Sequence, residues 1–250
     1  MAVNTIDLNA DLAEDCGDDA AMYPHLSSAN IACGQHAGGS IQMRVAVRAA
    51  MRNGVSIGAH PGYPDRANFG RIEHDIDYKT LYDIVMRQLR DLQFIIDSEG
   101  GQMRYVKPHG ALWHRIGKDS EQAQAVVDAV ADFNPRLDMM IPDTAIVHDA
   151  LARRFLRPVH EFFADRAYQA DGTLAPRGMD GAVIDDTPTM VARVLEWLRT
   201  RTVTAIDGTP TDVRATSICL HGDTPGAVAN AAAIHSAVTA AGYRIASWLD

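Results

Sequence analysis

Four of the ten histidines in this chain sit in tight-turn segments with glycine or proline just after a short apolar run. They are His36 in Cys33-Gly34-Gln35-His36-Ala37-Gly38, His60 before Pro61-Gly62, His109 in Lys107-Pro108-His109-Gly110, and His221 before Gly222-Asp223. Carboxylates gather in Asp7-Leu8-Asn9-Ala10-Asp11, with Glu14 just beyond, and again at Glu161 and Asp165. Imidazole nitrogen with carboxylate oxygen suits zinc or manganese more than calcium. The same groups can bind substrate or move protons. Asp-x-Asn-x-Asp also resembles the start of a calcium loop, but the glycine and distal glutamate of an EF-hand are misplaced. On an extended strand Asp7, Asn9 and Asp11 point the same way. They could hold a divalent ion, act as general base, or anchor a basic side chain in the core. Lys107 could bind a carboxylate or phosphate, or pair with Asp7 or Asp11. Arg66, Arg71 and Arg166 are alternative anion clamps, with Arg66 assigned to the surface. Cys33 and Cys219 have no evident base and read as packing thiols. His25, His74, His148 and His235 read as surface or packing residues.

These residues follow a common placement. Short apolar runs at Ile6–Leu8, Ala29–Ala32, Val55–Ala59, Arg104–Val106, Met139–Ile141, Val159–Phe163 and Ser217–Leu220 read as strands buried on both faces. Helical stretches separate them. Over Tyr78–Ser98 the residues Leu81, Val85, Leu89, Leu92 and Ile96 repeat on one helical face, and Gly100-Gly101 stops the helix. Thr224-Pro225 and Thr187-Pro188 read as helix starts, with Thr224 as N-cap. Gly54 and Gly242 read as helix stops. Strand-then-helix alternation implies parallel crossovers. About seven such strands favour an irregular (β/α) barrel over a doubly wound sheet, because no Gly-rich dinucleotide fingerprint follows the first strand. In a barrel, loops after strand C-termini carry the chemistry, and His36, His60, Lys107, His109, Glu161, Asp165 and His221 fall on such loops or strand ends.

The chain has 250 residues, 47% of them hydrophobic, and no linker-like tract, so residues 1–250 read as one barrel domain. A formal charge of −9 argues against a nucleic-acid partner. The apolar run around Ala227–Ala241 is alanine-rich, contains Asn230 and His235, and reads as a buried helix rather than a membrane span. No basic-then-apolar leader precedes Asp7. Three cysteines without metal-type spacing fit a reducing compartment, so the expected location is the cytoplasm.

Several segments together resemble the LamB/YcsF family, which is associated with one component of a multi-subunit 5-oxoprolinase. They are Asp7–Asp11 with Glu14, Ser28–Gly38, Ile57–Tyr63 with Pro64-Asp65, Phe69-Gly70-Arg71, Lys107–Leu112, Glu161–Tyr168, Asp171-Gly172 and His221–Asp223. They span nearly the whole chain in the family's order. Departures include Ala10, Ala13, Gln35, Gly39-Ser40, Ile72 and Trp113-His114. Gln35 and Trp113-His114 flank the implied site and leave substrate specificity open. The resemblance implies a barrel related to glycoside hydrolase and deacetylase folds. It also implies ATP-dependent opening of 5-oxo-L-proline to L-glutamate, with magnesium and two partner subunits. No P-loop is present, so ATP would be held in an unfamiliar way or partly by a partner. On the combined reading Asp7, Asp11, Glu14, His60, Lys107 and His109 serve catalysis. Asn9, Asn30, Arg71, Glu161, Arg166, His221 and Asp223 bind substrate, and Asp11, His36 and His60 take a divalent ion. The alternatives are a stand-alone metal-dependent amidase or deacetylase, and a non-catalytic subunit that positions substrate; homo-oligomers fit any of these.

Overall fold

A computed structural model describes residues 4–250. Its strands are β1 (Asn4–Leu12), β2 (Ser28–Ala32), β3 (Ser56–His60), β4 (Met103–Val106), β5 (Asp138–Met140), β6 (Arg157–Val159), β7 (Glu161–Phe163), β8 (Thr202–Thr204), β9 (Pro210–Asp212), β10 (Ser217–His221) and β11 (Tyr243–Ile245). The helices are α1 (Asp19–Met22), α2 (Ser40–Asn53), α3 (Tyr78–Glu99), α4 (Gly110–Ile116), α5 (Ser120–Phe133), α6 (Ala145–Arg154), α7 (Thr187–Thr200) and α8 (Ala227–Ala240). Nine strands form one sheet in the order β6-β5-β4-β3-β2-β1-β10-β7, with β11 also on β1. This is the parallel architecture of an irregular (β/α) barrel, as expected from the sequence. The count exceeds seven for two reasons. Val159–Phe163 divides into β6 and β7 at His160, and β11 joins the sheet.

The chain forms two compact units. One comprises residues up to Ala10, Gly17–Ser28 and Glu161–Asp250; the other comprises Asp11–Cys16 and Ala29–His160. In the second unit α3 buries Leu81, Val85, Leu89, Leu92 and Ile96 and packs against α2 and α5. Full burial of each such side chain contributes about 1.5–3 kcal/mol. Asp77 caps α3 by accepting from the Thr80 amide, and Gly100 ends it in the left-handed conformation. In the first unit Trp197 stacks on Phe162 at 4.4 Å and donates its indole N–H to the Val213 carbonyl at 2.8 Å.

Two helix starts differ from expectation. α8 begins at Ala227 behind Gly226, whose φ is +75°, and not behind Thr224. The Thr224 hydroxyl instead donates a charge-assisted bond to the buried Asp165 carboxylate at 3.2 Å. α7 is capped by Asp186, one residue before Thr187-Pro188, because its carboxylate reaches the Thr189 amide at 2.8 Å. Gly54 and Gly242 adopt left-handed conformations, at the C-cap of α2 and just after α8. Among the described residues no helix is long and apolar enough to cross a membrane.

Candidate metal centre

In the second unit four consecutive strand ends deliver one buried polar cluster. β1 carries Asp11 one residue before its end, and the left-handed residues Ala13 and Asp15 bend the following turn around Glu14. The loop after β2 carries His36, β3 ends on His60, and the segment after β4 carries Lys107 and His109. All six side chains are buried. Glu14 Oε1 lies 3.2 Å from His36 Nε2, 3.2 Å from His109 Nδ1 and 3.8 Å from His60 Nε2. His60 Nε2 and His109 Nδ1 are 3.0 Å apart. Ligand atoms around a tetrahedral ion at 2.0–2.1 Å stand about 3.3 Å from one another. The ligand atoms of Glu14, His36, His60 and His109 all lie within 4.8 Å of one another, and the separations above bracket that spacing, so the quartet can hold a divalent ion.

The outer hydrogen bonds of the rings strengthen the match. His60 Nδ1 donates to the Lys107 carbonyl at 2.7 Å, and His109 Nε2 donates to the Phe69 carbonyl at 2.8 Å. Carbonyls only accept, so in the neutral rings the inward nitrogens are bare lone pairs. Two lone pairs at 3.0 Å beside a carboxylate require a cation between them, either a proton or a metal ion. Outer-shell bonds of this kind orient histidine ligands.

The electrostatics favour charge on only one of the three rings. Burial pushes His36 down to about 4 and also lowers His109. His36 and His109 stack at 3.8 Å with nearly parallel rings, which disfavours two charges there. Burial also opposes charge on His60, but Asp11 and Glu14 outweigh it and raise its pKa. Burial works against an ionised Glu14 as well, yet its close contacts with His109 and His36 hold it well below the usual carboxylate range. Asp11 stands beside the quartet. Its Oδ1 accepts from Lys107 Nζ at 3.0 Å and Asn30 Nδ2 at 2.7 Å, and its Oδ2 faces His60 Nε2 at 3.3 Å.

The ligand set read from sequence, Asp11 with His36 and His60, thus shares two residues with the quartet. Glu14 and His109, expected as catalytic groups, complete it. No sequence periodicity marks Glu14, because an irregular turn separates it from β1. Arg71 is exposed and lies over the Phe69 ring at 4.8 Å, and that ring contacts His36 and His109 edge-on. Burial raises Cys33 to about 12, in keeping with a packing thiol.

The first unit holds the remaining candidates. Asp7 accepts from the hydroxyls of Ser27 and Ser28, each at 2.6 Å, and from Ser217. Asn9 donates to Glu161 at 3.1 Å, Ser217 at 2.7 Å and the Ile218 carbonyl at 3.2 Å. Arg166 is buried, with two of its donors on the carbonyls of Ala175 and Ala182. Asp223 lies in the turn after β10, half-buried. His221 Nδ1 meets Asp165 at 2.8 Å, and Asp165 also accepts from the His221 amide and Thr224. Burial opposes ionisation of Asp165, but His221 outweighs it and lowers its pKa. Sequence reasoning does not place Asp165 among the site residues. A buried carboxylate behind a histidine is visible only once β7 and β10 pair.

A family model for LamB/YcsF proteins matches residues 6–250. The chain belongs to the LamB/YcsF family. A lactam utilization protein from Thermus thermophilus is similar to this LamB/YcsF chain at 37% identity and a TM-score of 0.91, covering 98% of this chain and all of that one. Two more distant structures share the fold. A protein named for cellobiose-phosphate cleavage, from Enterococcus faecalis, is 11% identical with a TM-score of 0.59, over 99% and 98% of the two chains. A family 4 carbohydrate esterase from Streptomyces lividans is 12% identical with a TM-score of 0.50, over 98% and 93%.

Proposed function

We propose that this LamB/YcsF protein is a metal-dependent hydrolase that opens a small cyclic amide. The observation that carries this reading is the spacing of Glu14, His36, His60 and His109, whose inward atoms fit one divalent ion. The lactam as substrate class is supported by the name of the Thermus relative. A bound ion of this kind would supply Lewis acidity and make water a better nucleophile near neutral pH. The chain's own residues supply the rest. Glu14, His60 and His109 hold their reactive atoms in place before any substrate arrives, which avoids reorganisation during reaction. Asp11, fixed by Lys107 and Asn30, is the base nearest the quartet. It takes a proton from the attacking water and returns it to the amide nitrogen as the C–N bond breaks. Water is added across that bond, giving one carboxylate and one amine.

A second reading is favoured by family membership. The chain would be one component of an ATP-dependent 5-oxoprolinase, working with magnesium and two further subunits. One experiment separates the two readings. The chelated and then metal-reloaded chain is assayed on 5-oxoproline and simple lactams, without ATP, then with ATP and the partner subunits. Metal-dependent opening without ATP, abolished in Glu14→Gln, supports the first reading. Turnover only with ATP and partners supports the second.

A further inference from the structure

A second group of ligand-type side chains lies outside the buried quartet. Asp143 follows β5, His148 sits in the first turn and a half of α6, and His160 follows β6. The parallel pairing of β5 with β6 continues through the hydrogen bond from the Ile141 amide to the Val159 carbonyl at 3.1 Å. That pairing sets Asp143 and His160 at neighbouring strand ends. The α6 helix returns His148 to the same place. His148 Nε2 is 2.8 Å from Asp143 Oδ1, and His160 Nε2 is 3.9 Å from the same oxygen. The two imidazole rings are 5.1 Å apart, inclined at 53°.

We propose that Asp143, His148 and His160 form a solvent-open site for a transition-metal dication of the zinc class. Two imidazoles and one carboxylate are a donor set for zinc, cobalt or copper, not for calcium or magnesium. The observed 2.8 and 3.9 Å separations bracket the roughly 3.3 Å edge of a tetrahedral site, so small rotations of exposed side chains complete it. Asp143 is 58% exposed, His148 39% and His160 21%, which leaves an entry path and open coordination positions for water or an anionic ligand. The N-terminal end of α6 opposes a cation weakly; the Asp143 carboxylate and the chain's formal charge of −9 offset it. The buried quartet differs in this respect, because there every ligand is enclosed. The two sites share no residue, so this proposal stands whether or not the quartet binds metal.

The test is a Co²⁺ or Zn²⁺ titration of the chelator-treated full chain against a chromophoric competitor, at mildly alkaline pH where imidazole is neutral. Wild type should bind one more equivalent than His148→Ala and His160→Ala. Asp143→Asn should bind that equivalent at least about tenfold more weakly. Glu14→Gln should retain it. Because the side chains of Asp143 and His148 reach solvent, their variants should melt as wild type does without metal. Equal stoichiometry, with affinities within about twofold in wild type, His148→Ala and His160→Ala, would overturn the proposal.

Discussion

Lys107 reaches Asp11 at 3.0 Å with both side chains almost wholly removed from water. The carboxylate oxygen that takes the lysine also takes Asn30, so the other oxygen is left to face His60. Removing one member strands the other as a buried charge. Lys107→Met and Asp11→Asn should each lose about 3–5 kcal/mol of stability, and the double variant should lose less than their sum. Urea unfolding of the four proteins measures this coupling. Strict additivity would show that the pair is not coupled.

Gly58 in β3 is the seat of Tyr105. A Cβ at Gly58 would clash with three atoms of the Tyr105 ring. Tyr105 donates to Asn30 at 2.7 Å, and Asn30 in turn donates to Asp11. Gly58→Ala should therefore destabilise the protein by roughly 1–3 kcal/mol through overpacking and also lower activity. Adding Tyr105→Ala should relieve the clash without restoring the hydrogen bond to Asn30. Tyr105→Ala leaves a cavity that itself costs about 3–5 kcal/mol, so the double variant should stay below wild type in stability and turnover while losing less than the sum of the two single variants.

An ion in the quartet binds the folded chain and not the unfolded one. At a hundredfold excess over its dissociation constant it should add about 2.7 kcal/mol, which raises the melting temperature by roughly 5–10 °C for a chain of this size. Scanning calorimetry with and without Zn²⁺ or Mn²⁺ checks this. Glu14→Gln should lose most of the gain.

Burial raises Asp7 to about 6, against the lowering effect of its three serine donors. The native state then holds a proton that the unfolded chain releases, so this group's contribution to stability is full below about pH 4. It is lost as pH rises from about 4 through about 6, at a cost of roughly 3 kcal/mol. Asp7→Asn removes the titration. Its stability relative to wild type should therefore improve with pH across that window, read from urea midpoints. Parallel curves would sink the assignment.

The strands and the α3 helix were legible because burial on both faces, or on one helical stripe, leaves a pattern in sequence. Short elements escaped where that pattern fails. Thr202–Thr204 and Pro210–Asp212 form an antiparallel hairpin of mostly polar residues around Gly208, and Tyr243–Ile245 carries an arginine at its centre. The histidines stood out because each sits at a strand end beside residues that permit a tight turn. Glu14 could be found, but not its role as the atom shared by three rings. That role depends on the left-handed backbone at Ala13 and Asp15, which an alanine does not advertise. His148 read as an ordinary surface or packing residue because a helix and two strands must first bring it together with His160 and Asp143.

The glycines around the quartet bear on how quickly an ion could come and go. A Cβ at Gly62 would stand 2.7 Å from His36 Nδ1, and one at Gly70 would stand 2.9 Å from both His36 Cβ and His109 Cδ2. The stacked imidazoles are thus walled by backbone, with no room to swing aside one at a time. A ligand shell that cannot open stepwise releases its ion slowly, whatever its affinity. Residence in the quartet should be governed by local unfolding of the loops that carry Gly62 and Gly70, so an ion acquired during folding would outlast long dialysis.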